Sequence, residues 1–152
     1  MSNITVKIKL GYLNKTIDFT EQMLKAGKTI AAEIRGNVLK GLDVDDMPLT
    51  PNKEPYASLK QKKLGHVRPL IAQYLKFVSA SSYIVKKIKI NWVRIQFTGK
   101  HPETDLNIGE LAAIHQYGEG HNPVRKFVGI TVYAREKIIY DLRNYIIKLF
   151  KK

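Results

Sequence analysis

The sequence predicts an α+β domain in which a small, mostly antiparallel β-sheet packs against a long N-terminal helix and a C-terminal amphipathic helix. Three observations predict it. Apolar residues recur at helical spacing from about Thr16 to Val38, and again from about Thr131 to Leu149. Between these stretches, residues 83–97 are rich in β-branched side chains and alternate apolar with polar. With 152 residues the chain is expected to form one domain, 1–152, burying roughly two-thirds of its unfolded surface around a single core.

Each element has a local justification. Ile4, Val6, Ile8 and Leu10 alternate with Thr5, Lys7 and Lys9, which predicts a strand with one wet face that ends at Gly11. Phe19, Met23, Leu24, Ile30, Ala31, Ile34 and Val38 then fall on one helical face, with Asp18 and Glu21 spaced as a capping box and Gly41 just past the end. Gly27 and Gly36 lie inside that helix at a cost of about 1 kcal/mol each relative to Ala, so a break or a close packing contact is expected near one of them. Residues 41–68 carry Pro48, Pro51 and Pro55 without periodicity, and are expected to form a long loop that orders only against a partner. Leu70, Ile71, Tyr74 and Leu75 form a short helical stripe. Tyr83–Ile90 and the alternation of Val93, Ile95 and Phe97 with Arg94 and Gln96 give two antiparallel strands. A polar loop from Lys100 to Asn107 contains Pro102. Ile108, Leu111, Ala112 and His115 make a short helix that closes on Gly118, and Pro123 forces an extended link. In the last helix Ile138, Ile139, Leu142, Tyr145, Ile146 and Leu149 form one stripe, and Arg135, Lys137, Arg143 and Lys148 the opposite face.

Composition narrows the function. Without cysteine, a thiolate nucleophile and a Cys-based zinc site are excluded, and nothing points to an oxidising compartment. The N-terminus alternates, and no run approaches the ~18 apolar residues of a membrane span, so a signal peptide and a membrane segment are not expected. The 26 Lys+Arg against 13 Asp+Glu leave a net charge of +13, which implies an acidic partner. Lys60, Lys62, Lys63, His66 and Arg68 form one local basic cluster, and Lys86, Lys87 and Lys89 another.

Candidate chemistry centres on His115. It has His121 six positions on and Glu119 between, yet lacks the i, i+4 spacing of a zinc-binding pair, so a buried, hydrogen-bonded structural histidine is the simpler reading. Arg125, Lys126 and Arg135 flank the link that begins at Pro123. They suit a phosphate or carboxylate clamp, or, for Arg125, a pairing with an acidic residue within the fold or across a subunit contact. Gly118-Glu119-Gly120 does not follow a strand and open a helix, as a phosphate-cradling loop does. No spacing of Ser, Asp or His supports a nucleophile system. The residues alone therefore describe a basic, non-catalytic α+β domain without metal or cofactor that binds something large.

Ala112-Ala113-Ile114-His115-Gln116-Tyr117-Gly118, followed by Pro123-Val124-Arg125-Lys126-Phe127-Val128-Gly129-Ile130-Thr131, resembles the virion-morphogenesis or tail-completion proteins of contractile-tailed phages. The likeness extends to Pro69–Lys76, to the Val93–Gly99 strand and to Asp45-Asp46-Met47-Pro48-Leu49, where Asp46 stands in place of the family's usual glycine. The resemblance implies a structural protein of the phage neck or upper tail that completes the tail or joins it to the head, similar to ring-forming tail terminators and without enzymatic activity. It would form a homo-oligomeric ring, with a hexamer among the copy numbers the resemblance allows, beside tail tube, sheath and head-tail connector proteins and near phage DNA, in the virion and in host cytoplasm during assembly. On this reading Arg125, Lys126, Phe127, Pro123 and Arg135 lie at subunit contacts, while His115, Gln116, Tyr117, Gly118 and Gly129 are structural. The alternatives are a free-standing basic nucleic-acid-binding protein and a small nuclease using His115 and His121.

Overall fold

The computed structural model describes residues 18–70, 83–101 and 105–151, so the expected strand at 4–10, most of the stripe at 70–75 and Pro102 lie outside the described residues. In chain order the elements are α1 (Thr20–Lys40), α2 (Tyr56–Leu64), β1 (Tyr83–Lys89), β2 (Trp92–Phe97), α3 (Ile108–Tyr117) and α4 (Val132–Phe150). The fold is α+β, as the hydrophobic periods predict.

α1 is the spine. Its buried face, Met23, Ala26, Ile30, Ala31, Ile34 and Val38, is the one the 3.6-residue period selects. The two strands pair antiparallel from Tyr83↔Phe97 to Lys89↔Trp92, with an irregularity between Lys87 and Lys89. Asn91 closes the hairpin at φ 58°, a left-handed conformation that asparagine tolerates better than most residues. Its Oδ1 accepts from Phe19 N at 2.6 Å and so ties the hairpin tip to the start of α1. The expected Asp18/Glu21 capping box does not form. Phe19 is the N-cap, Asp18 Oδ1 accepts from Thr20 N at 2.8 Å, and Glu21 pairs instead with Lys25 at 2.9 Å on the exposed face. At the other end, Gly41 at φ 76° and Leu42 return hydrogen bonds to Val38 and Asn37, closing the helix as Gly41 predicts.

One main core joins Ile30, Ile34 and Val38 of α1 to Leu49, Leu70, Ile108, Ala112, Phe127, Ala134 and Ile138, and a smaller cluster gathers Phe19, Met23 and Val93 beside Tyr145. Two expectations are corrected here. The segment 41–68 is not unpatterned, because nine of its residues form α2. In α4, Ile138 is buried and Leu142, Tyr145 and Ile146 are partly covered, but Ile139 and Leu149 are exposed; the stripe read from the sequence is wider than the face that α1 covers.

The two glycines inside α1 differ in kind. A Cβ at Gly27 would stand 2.6 Å from Val85 Cγ1 and 3.6 Å from Val93 Cγ2, so Gly27 sets how closely α1 approaches the sheet, whereas among the described residues nothing lies within 4 Å of one at Gly36. Gly36→Ala should therefore raise stability by about 0.5–1 kcal/mol through helix propensity. Gly27→Ala should lower it by about 1–3 kcal/mol through overpacking, despite the same propensity gain. Urea denaturation of the two variants against the parent measures both signs.

Candidate functional site

The stretch 107–131 forms one local unit with α3 at its centre. Asn107 caps α3 by a reciprocal box: its Oδ1 accepts from Glu110 N at 2.8 Å, and Glu110 Oε2 accepts from Asn107 N at 2.8 Å. Gly118 ends the helix at φ 71°, where a side chain would also strike Val124. The chain then turns and runs back along α3. Arg125 N donates to His115 O at 2.9 Å, while the Gln116 amide both donates to Val128 O at 3.2 Å and accepts from Val128 N at 3.0 Å. Gly129 lies under Val44, whose Cγ1 would be 2.8 Å from a Cβ there, and Thr131 Oγ1 caps α4 by accepting from Ala134 N at 3.0 Å.

Arg125 joins this unit to residues 50–52. Its Nε donates to Thr50 O at 2.8 Å, and its Nη2 donates to Pro51 O at 3.1 Å and to Asn52 Oδ1 at 2.9 Å. Its Nη1 faces His115 Nδ1 at 3.3 Å. A guanidinium can only donate, so Nδ1 accepts and the neutral ring carries its proton on Nε2. Arg125 is 2 % exposed, and Phe127 is 1 % exposed among core side chains. Both were expected at a subunit contact; within the subunit both are buried, Phe127 in the main core and Arg125 at the edge of a cleft. Lys126 and Arg135 are exposed and Pro123 is half-buried.

A second correction concerns the basic cluster. Lys62, Lys63 and Arg68 are exposed, but Lys60 is 4 % exposed and its Nζ donates to Arg68 O. Two buried cations and one imidazole thus share a small volume. Burial, reinforced by Arg125, draws the Lys60 ammonium down to about 8. Burial first, then Arg125 and Lys60, pulls the His115 imidazole down to about 4. Burial also lowers the Arg125 guanidinium from its ordinary value.

Beside Arg125 opens a cleft of 440 Å³ lined by Asn52, Lys53, Glu54, Tyr56, His115, His121, Asn122, Pro123 and Arg125. His115 and His121 therefore do share one cleft. With the His115 Nδ1 lone pair turned to a guanidinium, that nitrogen is not available to a metal. Among the described residues no group of three or more His, Asp or Glu could hold a metal ion. No described helix is long and apolar enough to cross a membrane. The residues the sequence analysis missed are Thr50, Asn52 and the burial of Lys60. Carbonyl acceptors leave no trace in residue type, and a lone buried lysine in a polar helix carries no periodic signal. The α3 capping box was missed too, although the Asn107-x-x-Glu110 spacing could have found it.

Two outcomes follow from this arrangement. Arg125→Ala should cost about 3 kcal/mol and expose Lys53 to trypsin, and Arg125→Lys should recover only part because an ammonium cannot reproduce the fork. Limited proteolysis with chemical denaturation tests both. Because the folded His115 resists protonation, the unfolded chain binds more protons between about pH 4 and 6.5. Stability should therefore be full above about pH 6.5 and fall toward pH 4, by on the order of 2–3 kcal/mol. His115→Asn, which keeps an acceptor near Nδ1 but does not titrate, should flatten that slope. Comparison with known protein families, curated proteins and solved structures finds no match for this chain.

Proposed function

We propose that the protein is a structural subunit of a tailed-phage virion that completes the tail, or joins it to the head, as part of an oligomeric ring. The observation that carries this reading is the outer face of α4. Val132 and Ile139, and beside them Tyr133, Tyr140 and Ile147, are exposed and spaced seven apart, with Phe150 at the end. Seven-residue spacing draws a nearly straight apolar seam along a helix, the geometry by which helices meet a partner. The side chains of α4 that face α1 are already satisfied within the subunit, so this is a second seam, and its occupant is a neighbouring copy of the chain.

Two further observations support the reading. The residues that carry the resemblance, Gln116, Gly118, Arg125, Phe127 and Gly129, all serve backbone geometry or packing, which is what a shared architecture requires. Asp46, at the position where the resembling family usually has glycine, has φ 59°. Glycine takes that conformation without steric cost, and aspartate is among the few other residues that visit it readily. A second reading, a nucleic-acid-binding protein, has its own observation in the exposed Lys86, Lys87 and Lys89 of β1.

Sedimentation velocity and negative-stain imaging should show closed rings at micromolar protein. Ile139→Asp and Tyr140→Asp should release monomers with melting temperatures within a few degrees of the parent, since both side chains are exposed, and should fail to complement a phage lacking the protein. A parent that stays monomeric at all concentrations and binds DNA with a steep salt dependence would move the conclusion to the second reading.

A further inference from the structure

We propose that the cleft beside Arg125 receives a single carboxylate, an aspartate or glutamate side chain of an adjoining protein. The inference rests on the assembly reading above and names the chemistry of the contact.

Two buried cations stand here without a carboxylate among the described residues that pairs with them. Arg125 is 2 % exposed and Lys60 4 %, and among the described residues each is met by neutral groups: Thr50 O, Pro51 O, Asn52 Oδ1 and the His115 ring for Arg125, and Arg68 O and the Tyr56 ring for Lys60. The ion pairs among the described residues, Glu21–Lys25 and Asp141–Lys137, are exposed pairs along α1 and α4 and involve neither cation. Carbonyl dipoles satisfy hydrogen bonds, but they leave net positive charge in a poorly solvated place. That charge also depresses the His115 imidazole.

Arg125 lines the cleft, which has room for a side chain and its first waters in 440 Å³. His121, Asn122, Tyr56 and Lys53 bring further hydrogen-bond donors to its wall. Glu54 is the acid on that wall, and its Oε2 accepts from Ser58 Oγ at 2.7 Å and Ser58 N at 3.3 Å, so it serves the first turn of α2.

The charge on the cleft wall is small. Arg125 and Lys53 are the cations on the wall, set against Glu54, and the His115 ring is neutral near pH 7. Such a wall suits a monoanion. A nucleic-acid backbone needs a run of cations along a path, and the exposed Lys62, Lys63, Lys86, Lys87 and Lys89 do not line this cleft.

Arg125 cannot be the test variant alone, because its loss is expected to unfold the local structure. The probe is sodium acetate at pH 7, followed by the ring signals of the four histidines in two-dimensional proton–carbon NMR spectra, with sodium chloride at equal ionic strength as reference. Saturable millimolar shifts of His115 and His121, absent with chloride and sparing His66 and His101, are expected. His121→Ala and Lys53→Ala, at positions on the cleft wall outside the core, should each weaken acetate binding at least about threefold without lowering the melting temperature. Shifts that grow linearly and equally with chloride overturn the site. Saturation by a short single-stranded DNA at lower concentration than acetate also overturns it, in favour of phosphate. Sedimentation velocity on the same samples separates the two readings. Rings without an acetate site refute this inference alone, and an acetate site in a protein that never assembles refutes the assembly reading while keeping the carboxylate site.

Discussion

The Arg125 guanidinium is the constraint on which the architecture around α3 depends. It is a permanent charge placed in the interior and held by backbone carbonyls of a segment more than seventy positions away in the chain. Removing a cation from water is costly, and the cost is tolerable here because the planar fork is met on both edges, by Thr50 and by Pro51 with Asn52, while the imidazole of His115 takes a third direction. Every partner must be in place at once. The residues that follow α1, the turn before α2 and the link after α3 are therefore locked together by one side chain in addition to the apolar core that Leu49 and Phe127 share.

That lock is reinforced from α1. Asn37, 4 % exposed, donates to Asp43 O at 2.9 Å and to Asp46 Oδ1 at 3.3 Å, and Val44 N donates to Lys126 O at 2.9 Å. The turn at 42–48 thus has one foot on the helical spine and one on the returning link. Phe127, beside Arg125 in sequence, packs against Phe97 with ring centres 6.4 Å apart and carries the link into the main core. Charge and apolar packing are used at neighbouring positions for the same purpose, which is to hold an extended segment that has no strand partner among the described residues.

How far the sequence revealed this depended on whether a residue acts through a periodic pattern. The buried faces of α1 and α3, the hairpin and the left-handed stop at Gly118 all follow from period and residue type, and the structure agrees. α2 was missed because its only buried residue is a lysine, so it has no apolar stripe to read. The outer side of α4 was misread because an apolar residue at helical spacing does not say which neighbour it meets; Ile139 looks inward by composition and outward by angle. Arg125 was singled out for its chemistry but its burial within the subunit was not legible, since two of its acceptors are main-chain oxygens that every residue possesses. The capping box of α1 failed for a comparable reason: Asp18 bonds Thr20 N, one residue short of the box, and Glu21 found a lysine one turn on.

The Gln116 amide has a mechanical consequence. By offering a donor and an acceptor to Val128 it imitates a peptide group, and the link is clasped to α3 as a strand is to its neighbour. Three residues further on, Thr131 starts α4, whose 19 residues extend roughly 28 Å at about 1.5 Å per residue. The clasp at Val128 fixes where α4 begins, and Ile138, Leu142 and Tyr145 hold its length against α1 and Phe19. Tilting it by about 10° would carry its far end about 5 Å, a whole helical turn of pitch and enough to put one seam out of register with the next. An amide that neither gains nor loses a proton is a sound choice for that clasp. Its two hydrogen bonds to Val128 do not themselves titrate in the acidic range in which the nearby imidazole of His115 changes charge.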